Sequence, residues 1–144
     1  MARICVSVVV EAGADAVWGD LSDIASHVEW MADAVAIEFT TMRRHGVGTA
    51  FDCLTKVGPI RLTDKMVCTE WVPGEVMGIR HVGLVTGIGR LSLSPHGQTR
   101  TLLTWEEILS FPLMLGGPIG AFVGGRLILR RIWAKNLRTF ARRF

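Results

Sequence analysis

Residues 111–144 read FPLMLGGPIGAFVGGRLILRRIWAKNLRTFARRF, and the reading of this stretch decides the fold. From Pro118 onward the apolar residues Ile119, Phe122, Val123, Leu127, Ile128, Leu129, Ile132, Trp133, Leu137 and Phe140 recur at steps of three and four. That spacing gathers side chains on one face of a helix. It predicts one long helix over 118–144, about 40 Å long at 1.5 Å per residue, with an apolar face that has to be buried. Gly116, Gly120 and Gly124 stand four apart in the front half, although a glycine costs a helix interior about 1 kcal/mol relative to alanine. Stacked glycines bare the backbone on one side and admit a close neighbour. Two readings follow: close packing of helix on sheet, or the wall or lid of a ligand cavity.

The rear of the same stretch is basic. No acid follows Glu107, and Arg126, Arg130, Arg131, Lys135, Arg138, Arg142 and Arg143 give the tail seven positive charges. The first 107 residues hold nine basic residues against all 13 acidic ones, net −4, within a chain of net +3. Such a helix is either a solvated face that complements its own C-terminal dipole or a contact for an anionic membrane surface. It lacks aromatics interleaved on its polar side, which with the acidic remainder argues against nucleic acid as a partner.

The 144 residues suit one domain over 1–144, long enough to bury about two-thirds of its unfolded surface without staples. Hydrophobic residues make up 49% and charged ones only 20%, so surplus apolar surface has to line a cavity, face a second copy in a homodimer or meet a membrane. Residues 108–125 run for 18 positions without a charge, the lower edge of a bilayer span. Pro112, Pro118 and five glycines interrupt the run, so no transmembrane span is expected. Cys5, Cys53 and Cys68 are odd in number with no CxxC spacing and read as buried thiols. Met1-Ala2-Arg3 leads straight into a strand-like segment rather than a signal peptide, and the cytoplasm is the expected compartment.

Upstream of the helix the chain reads as strands and turns. Residues 3–11 are rich in β-branched side chains and predict a strand. Asp15 is placed to cap a helix over 16–21, and Ser22-Asp23 opens a second short helix to about Glu29. Strands follow over 35–41, 49–57, 60–71, 75–82, 86–94 and 99–110, separated by turns such as Gly58-Pro59 and Val72-Pro73-Gly74-Glu75. The fold class is therefore α+β: a curved seven-stranded antiparallel sheet wrapped around a long C-terminal helix, with two short helices after strand 1.

With those residues in place, the chain resembles the START-like (SRPBCC) superfamily and its helix-grip fold, above all the bacterial polyketide cyclase/dehydrase and lipid-transport group. The likeness rests on residues 8–11 leading into Ala14-Asp15-Ala16-Val17-Trp18, on Leu21-Ser22-Asp23 and Glu29-Trp30-Met31, on Gly46-Val47-Gly48-Thr49, on Glu70-Trp71-Val72-Pro73-Gly74 and on the strand over 99–105. The proline usual in the group's first turn is replaced by Gly13 or Ala14. The resemblance implies a cavity between sheet and helix for a hydrophobic small molecule such as a lipid, polyketide or isoprenoid-like compound. It does not imply one reaction.

Strand parity then nominates the cavity wall. Leu62, Met66 and Cys68, Leu91 and Leu93, and Leu103, Trp105 and Leu109 share the inward parity of their strands, and the same parity turns Asp64 and Glu107 inward. A carboxylate facing an apolar space suits a general acid or base. Pairing with Arg80 or Arg100, or a slip that turns Glu106 inward instead, are the alternatives. Arg80-His81 puts one polar group on each face of its strand, and Arg80 is a candidate to steady an enolate oxygen. Trp30 and Met31 are placed at the cavity mouth, and Ile119, Phe122 and Val123 on the helix wall. His27, His45, His81 and His96 lack metal spacing, no serine sits in GxSxG, and Gly87-Ile88-Gly89 lies in an antiparallel strand, so neither a metal nor a cofactor is expected. Ligand carriage leads the functional reading, with an aromatase/cyclase using Asp64 or Glu107 as the alternative and a membrane-surface or protein-interaction module as the third.

Overall fold

In a computed structural model, residues 2–112 and 127–144 are described. Seven strands form one antiparallel sheet: β1 (Ala2–Val10), β2 (Ala34–Phe39), β3 (Ala50–Val57), β4 (Ile60–Val72), β5 (Val76–Val82), β6 (Thr86–His96) and β7 (Arg100–Ser110). Their order is β1-β7-β6-β5-β4-β3-β2, so the last six run as a meander and the first strand closes against the last. Local chemistry drives this: Gly58, Gly74 and Gly97 take positive φ at the β3–β4, β4–β5 and β6–β7 turns, where a Cβ would be strained.

Two short helical elements cross from β1 to β2, namely helix α1 (Ala14–Leu21) and a 3₁₀ helix over Ile24–Glu29. The cap of α1 is Gly13 rather than Asp15, which lies in the first turn where its charge meets the positive end of the helix. The C-terminal helix α2 covers Arg130–Ala141 and is preceded by a wider turn at 127–129. It packs across β1 through the buried Trp133, Leu137 and Phe140. The front of the expected helix, 118–126, with its glycines and Ile119, Phe122 and Val123, lies outside the described residues. Among the described residues no helix is long and apolar enough to cross a membrane.

The core lies between sheet and helix. Trp105 of β7 stacks on Trp133 of α2 with centroids 4.8 Å apart, while Trp30 meets Trp105 and Phe140 edge-on at 6.2 and 5.0 Å. Cys53 and Cys68 are buried, but Cys5 is exposed: β1 turns it to the outer face, beside Glu106.

Candidate functional site

The concave side of the sheet and the start of α2 enclose a cavity of about 370 Å³. Its walls are mostly apolar, and they include Met31, Leu62, Met66, Leu91, Trp105 and Leu109 of the residues expected there, with Phe51, Met77, Ile79 and Trp133 in addition. Trp30, Leu93 and Leu103 are buried in the core rather than on this wall, and so is Cys68. Asp64, His81 and Glu107 all face the cavity.

These three come from β4, β5 and β7, and their meeting is a matter of register. His81 pairs with Met66, so Asp64, two residues along β4, sits diagonally on the same face. Between His81 and Glu107 runs β6, whose inward positions there are Gly87 and Gly89, paired with His81 and Glu107 respectively. Two strand spacings, roughly 9–10 Å of backbone, are thus bridged by side chains lying over bare glycine. A Cβ on Gly89 would stand 2.6 Å from Glu107 Oε1 and 2.9 Å from its Cδ and Cγ. The missing side chain is the notch that holds the carboxylate.

His81 Nδ1–H donates to Asp64 Oδ2 at 2.8 Å. His81 Nε2 lies 3.3 Å from Glu107 Oε2, close enough for charge attraction, but the two are not aligned as a hydrogen bond. Trp105 Nε1–H donates to Glu107 Oε1 at 3.1 Å and so fixes the carboxylate's other oxygen. Asp64 Oδ1, His81 Nε2 and Glu107 Oε2 are buried and have no hydrogen-bond partner among the described residues, although the three residues are only 9%, 7% and 6% exposed. Burial pulls the His81 pKa down, but the hydrogen bond to Asp64, the close side-chain contact with Glu107 and the charges of both carboxylates outweigh it and raise the value to about 10. The ring is an imidazolium at neutral pH.

A third carboxylate, Asp33, also lines the cavity. It accepts from Trp133 Nε1 at 3.0 Å and from Asn136 Nδ2 at 2.8 Å, while Asn136 Oδ1 accepts from the Ala32 amide at 3.0 Å. Burial pushes the Asp33 carboxyl up, against the pull of those hydrogen bonds. This latch ties α2 to the loop before β2. Sequence reasoning passed over it; a signal was present in Asn136, the one amide set among Trp133, Leu137 and Phe140 on the buried face of the helix.

Arg80 does not join the site. The parity that turns Ile79 and His81 inward turns Arg80 to the exposed face of β5, so it cannot steady an oxygen in the cavity. Glu106 is likewise outside, 2.8 Å from Arg3, and Arg100 lies 3.8 Å from Glu11.

Comparison with known proteins agrees with this architecture. The profile of the family described as polyketide cyclase / dehydrase and lipid transport matches residues 1–144. No curated protein matches the chain. Among solved structures, the Zhui aromatase/cyclase from a Streptomyces species is 18% identical with a TM-score of 0.77, over 98% of this chain and 92% of that one. The di-domain aromatase/cyclase StfQ of the steffimycin biosynthetic pathway is 14% identical with a TM-score of 0.78, over 98% of this chain and 50% of its own. A norcoclaurine synthase from Thalictrum is 16% identical with a TM-score of 0.71, over 97% and 91%. At such identities these likenesses concern the fold.

Proposed function

Because the chain belongs to the polyketide cyclase/dehydrase and lipid-transport family, we propose that it holds an apolar, carbonyl-bearing small molecule in this cavity and moves a proton on it. The observation that carries the reading is the group of three buried ionisable side chains, each with a polar atom that has no hydrogen-bond partner among the described residues, on a mostly apolar wall. Charges taken out of water cost several kcal/mol unless fully satisfied, and apolar residues of similar volume would serve packing as well or better. Ionisable groups perturbed by burial and by one another in a cleft are candidates for chemistry.

Each residue has a part. Asp64 holds the imidazole by Nδ1, so the Nε2–H is presented to the ligand. That N–H meets the carbonyl oxygen and stabilises the negative charge that develops there. Glu107, anchored through Oε1 by Trp105, offers Oε2 as the base that takes a proton from the neighbouring carbon. Aldol-type ring closure and loss of water both begin with this step. The apolar walls supply affinity at about 25 cal/mol per Å² of ligand surface buried.

The test is exchange of α-hydrogens for deuterium in a bound aromatic β-diketone, followed by NMR. The expected result is acceleration by the protein and a loss of about a hundredfold in Glu107→Gln, both read at saturating diketone. Exchange no faster than in buffer, with the diketone bound, would refute proton transfer. It would leave the second reading, simple carriage, which the predominance of apolar wall favours.

A further inference from the structure

The cavity's polar atoms say what kind of handle its ligand carries. Among the described residues three carboxylates line it, those of Asp33, Asp64 and Glu107, with two cations, His81 and Arg90. Arg90, the other charged residue on the described wall, gives its guanidinium to Glu70, at 2.9 and 3.2 Å. Asp33 has both oxygens occupied by Trp133 and Asn136, so among the described residues the charged groups with unpartnered atoms are those of the triad. His81 Nε2, a donor in the imidazolium, and Glu107 Oε2, an acceptor, stand 3.3 Å apart as an ion pair that is not aligned as a hydrogen bond, so each keeps its hydrogen-bonding capacity.

A donor and an acceptor side by side select by chemistry. A carboxylate can accept from His81, but it cannot donate to Glu107, whose own negative charge it would meet. An ether or ketone accepts and offers nothing back. An ammonium group donates and cannot accept. A hydroxyl does both at once, and does so without bringing a charge out of water.

We infer that the ligand's recognised handle is a neutral hydroxyl, as in an alcohol, phenol or enol, which accepts from His81 Nε2–H and donates to Glu107 Oε2, and that anionic ligands such as fatty acids are refused. The inference rests on the reading of this cavity as the ligand site and narrows its substrate class to hydroxylated or enolisable apolar molecules. In the proton-transfer step the same two atoms serve the enol form of the substrate, so handle and reacting group coincide.

Calorimetric titration of the unmodified protein at neutral pH with β-naphthol, β-methoxynaphthalene and β-naphthoate tests this on one ring system. β-Naphthol is expected to bind at least about tenfold more tightly than either of the others, since each leaves a charged partner unsatisfied. In Glu107→Gln, whose amide donates where the carboxylate accepted, the gap between β-naphthol and β-naphthoate is expected to close. Equal affinity for the methoxy compound, tighter binding of the naphthoate, or no binding of β-naphthol would each overturn the inference. Its failure is separable from that of proton transfer, because α-hydrogen exchange is read on a diketone whatever handle the cavity prefers.

Discussion

The two faces of the sheet carry the same kinds of residue in neighbouring positions and put them to different ends. On β4, Asp64 faces the cavity while Lys65 faces solvent; on β5 it is His81 and Arg80; on β7, Glu107 and Glu106. Distances do not distinguish the faces, since Arg3–Glu106 outside and His81–Asp64 inside are both 2.8 Å contacts. Surroundings do. Outside, water and salt compete for every charge. Inside, a charge that loses its partner has nothing to replace it.

The comparison breaks hardest at His81. His81→Ala leaves Asp64 and Glu107 buried without a cation, and stability to denaturant should fall by about 3–5 kcal/mol. A cost below about 1 kcal/mol, the range of an exposed pair, would mean the inner face is not dry.

The same contact can be removed without mutation. The folded pKa of His81, about 10, lies above the ordinary 6.5. Its stabilising contribution is therefore complete below 6.5 and is lost as pH rises through about 10. The difference in stability between wild type and His81→Gln should accordingly be flat at acid pH, shrink across that window and level off above it. The His81 ring resonances should show no titration near neutrality. A His81 midpoint near 6.5 would remove the imidazolium from the site and the donor on which the hydroxyl handle depends.

Smaller effects sharpen where the inner network is anchored. Asp33→Asn replaces one accepting oxygen by a donor facing Trp133 or Asn136, and should cost about 1–3 kcal/mol. The loss should appear as earlier exchange of the α2 amides, since the latch ties that helix down. Gly89→Ala should cost less, about 1 kcal/mol, because the atoms it crowds belong to a side chain that can swing away. Its mark should be functional: with Glu107 pushed from its notch, α-hydrogen exchange should drop while the fold persists. Unchanged exchange would exclude Glu107 Oε2 as the base.

Much of this was legible in the chain, and the rest was not for identifiable reasons. Alternation in β4 and β7 assigned Asp64 and Glu107 to the face of Leu62, Met66, Trp105 and Leu109, because a half-buried strand writes its parity in its apolar residues. β5 is apolar on both parities, with Val76 and Met77 both buried, so its pattern could not choose between Arg80 and His81. Nor could it show that His81 meets Asp64, since the β4–β5 register shifts at a bulge between Cys68 and Glu70. Gly87 and Gly89 read as bends; that they clear a path between two other strands depends on the pairing of three. Asp33 lies in a loop, where no period exists to give its direction.

The least effect belongs to the outer face, and it is the control for all the others. Lys65 Nζ lies 3.3 Å from Asp52 Oδ2, on the strands and within one residue of the buried Asp64, but the two side chains are 57% and 30% exposed. Holding a long lysine in one geometry costs side-chain entropy, and water solvates both ends when the contact opens. A double-mutant cycle of Lys65→Ala and Asp52→Ala should therefore give a coupling below about 1 kcal/mol that fades as salt is added. A coupling as large as that at His81, insensitive to salt, would show that position in the sheet rather than exclusion of water sets the strength of these pairs. The case for chemistry at the inner face would then lose its physical basis, because burial is what makes three charges there too costly to keep for packing alone.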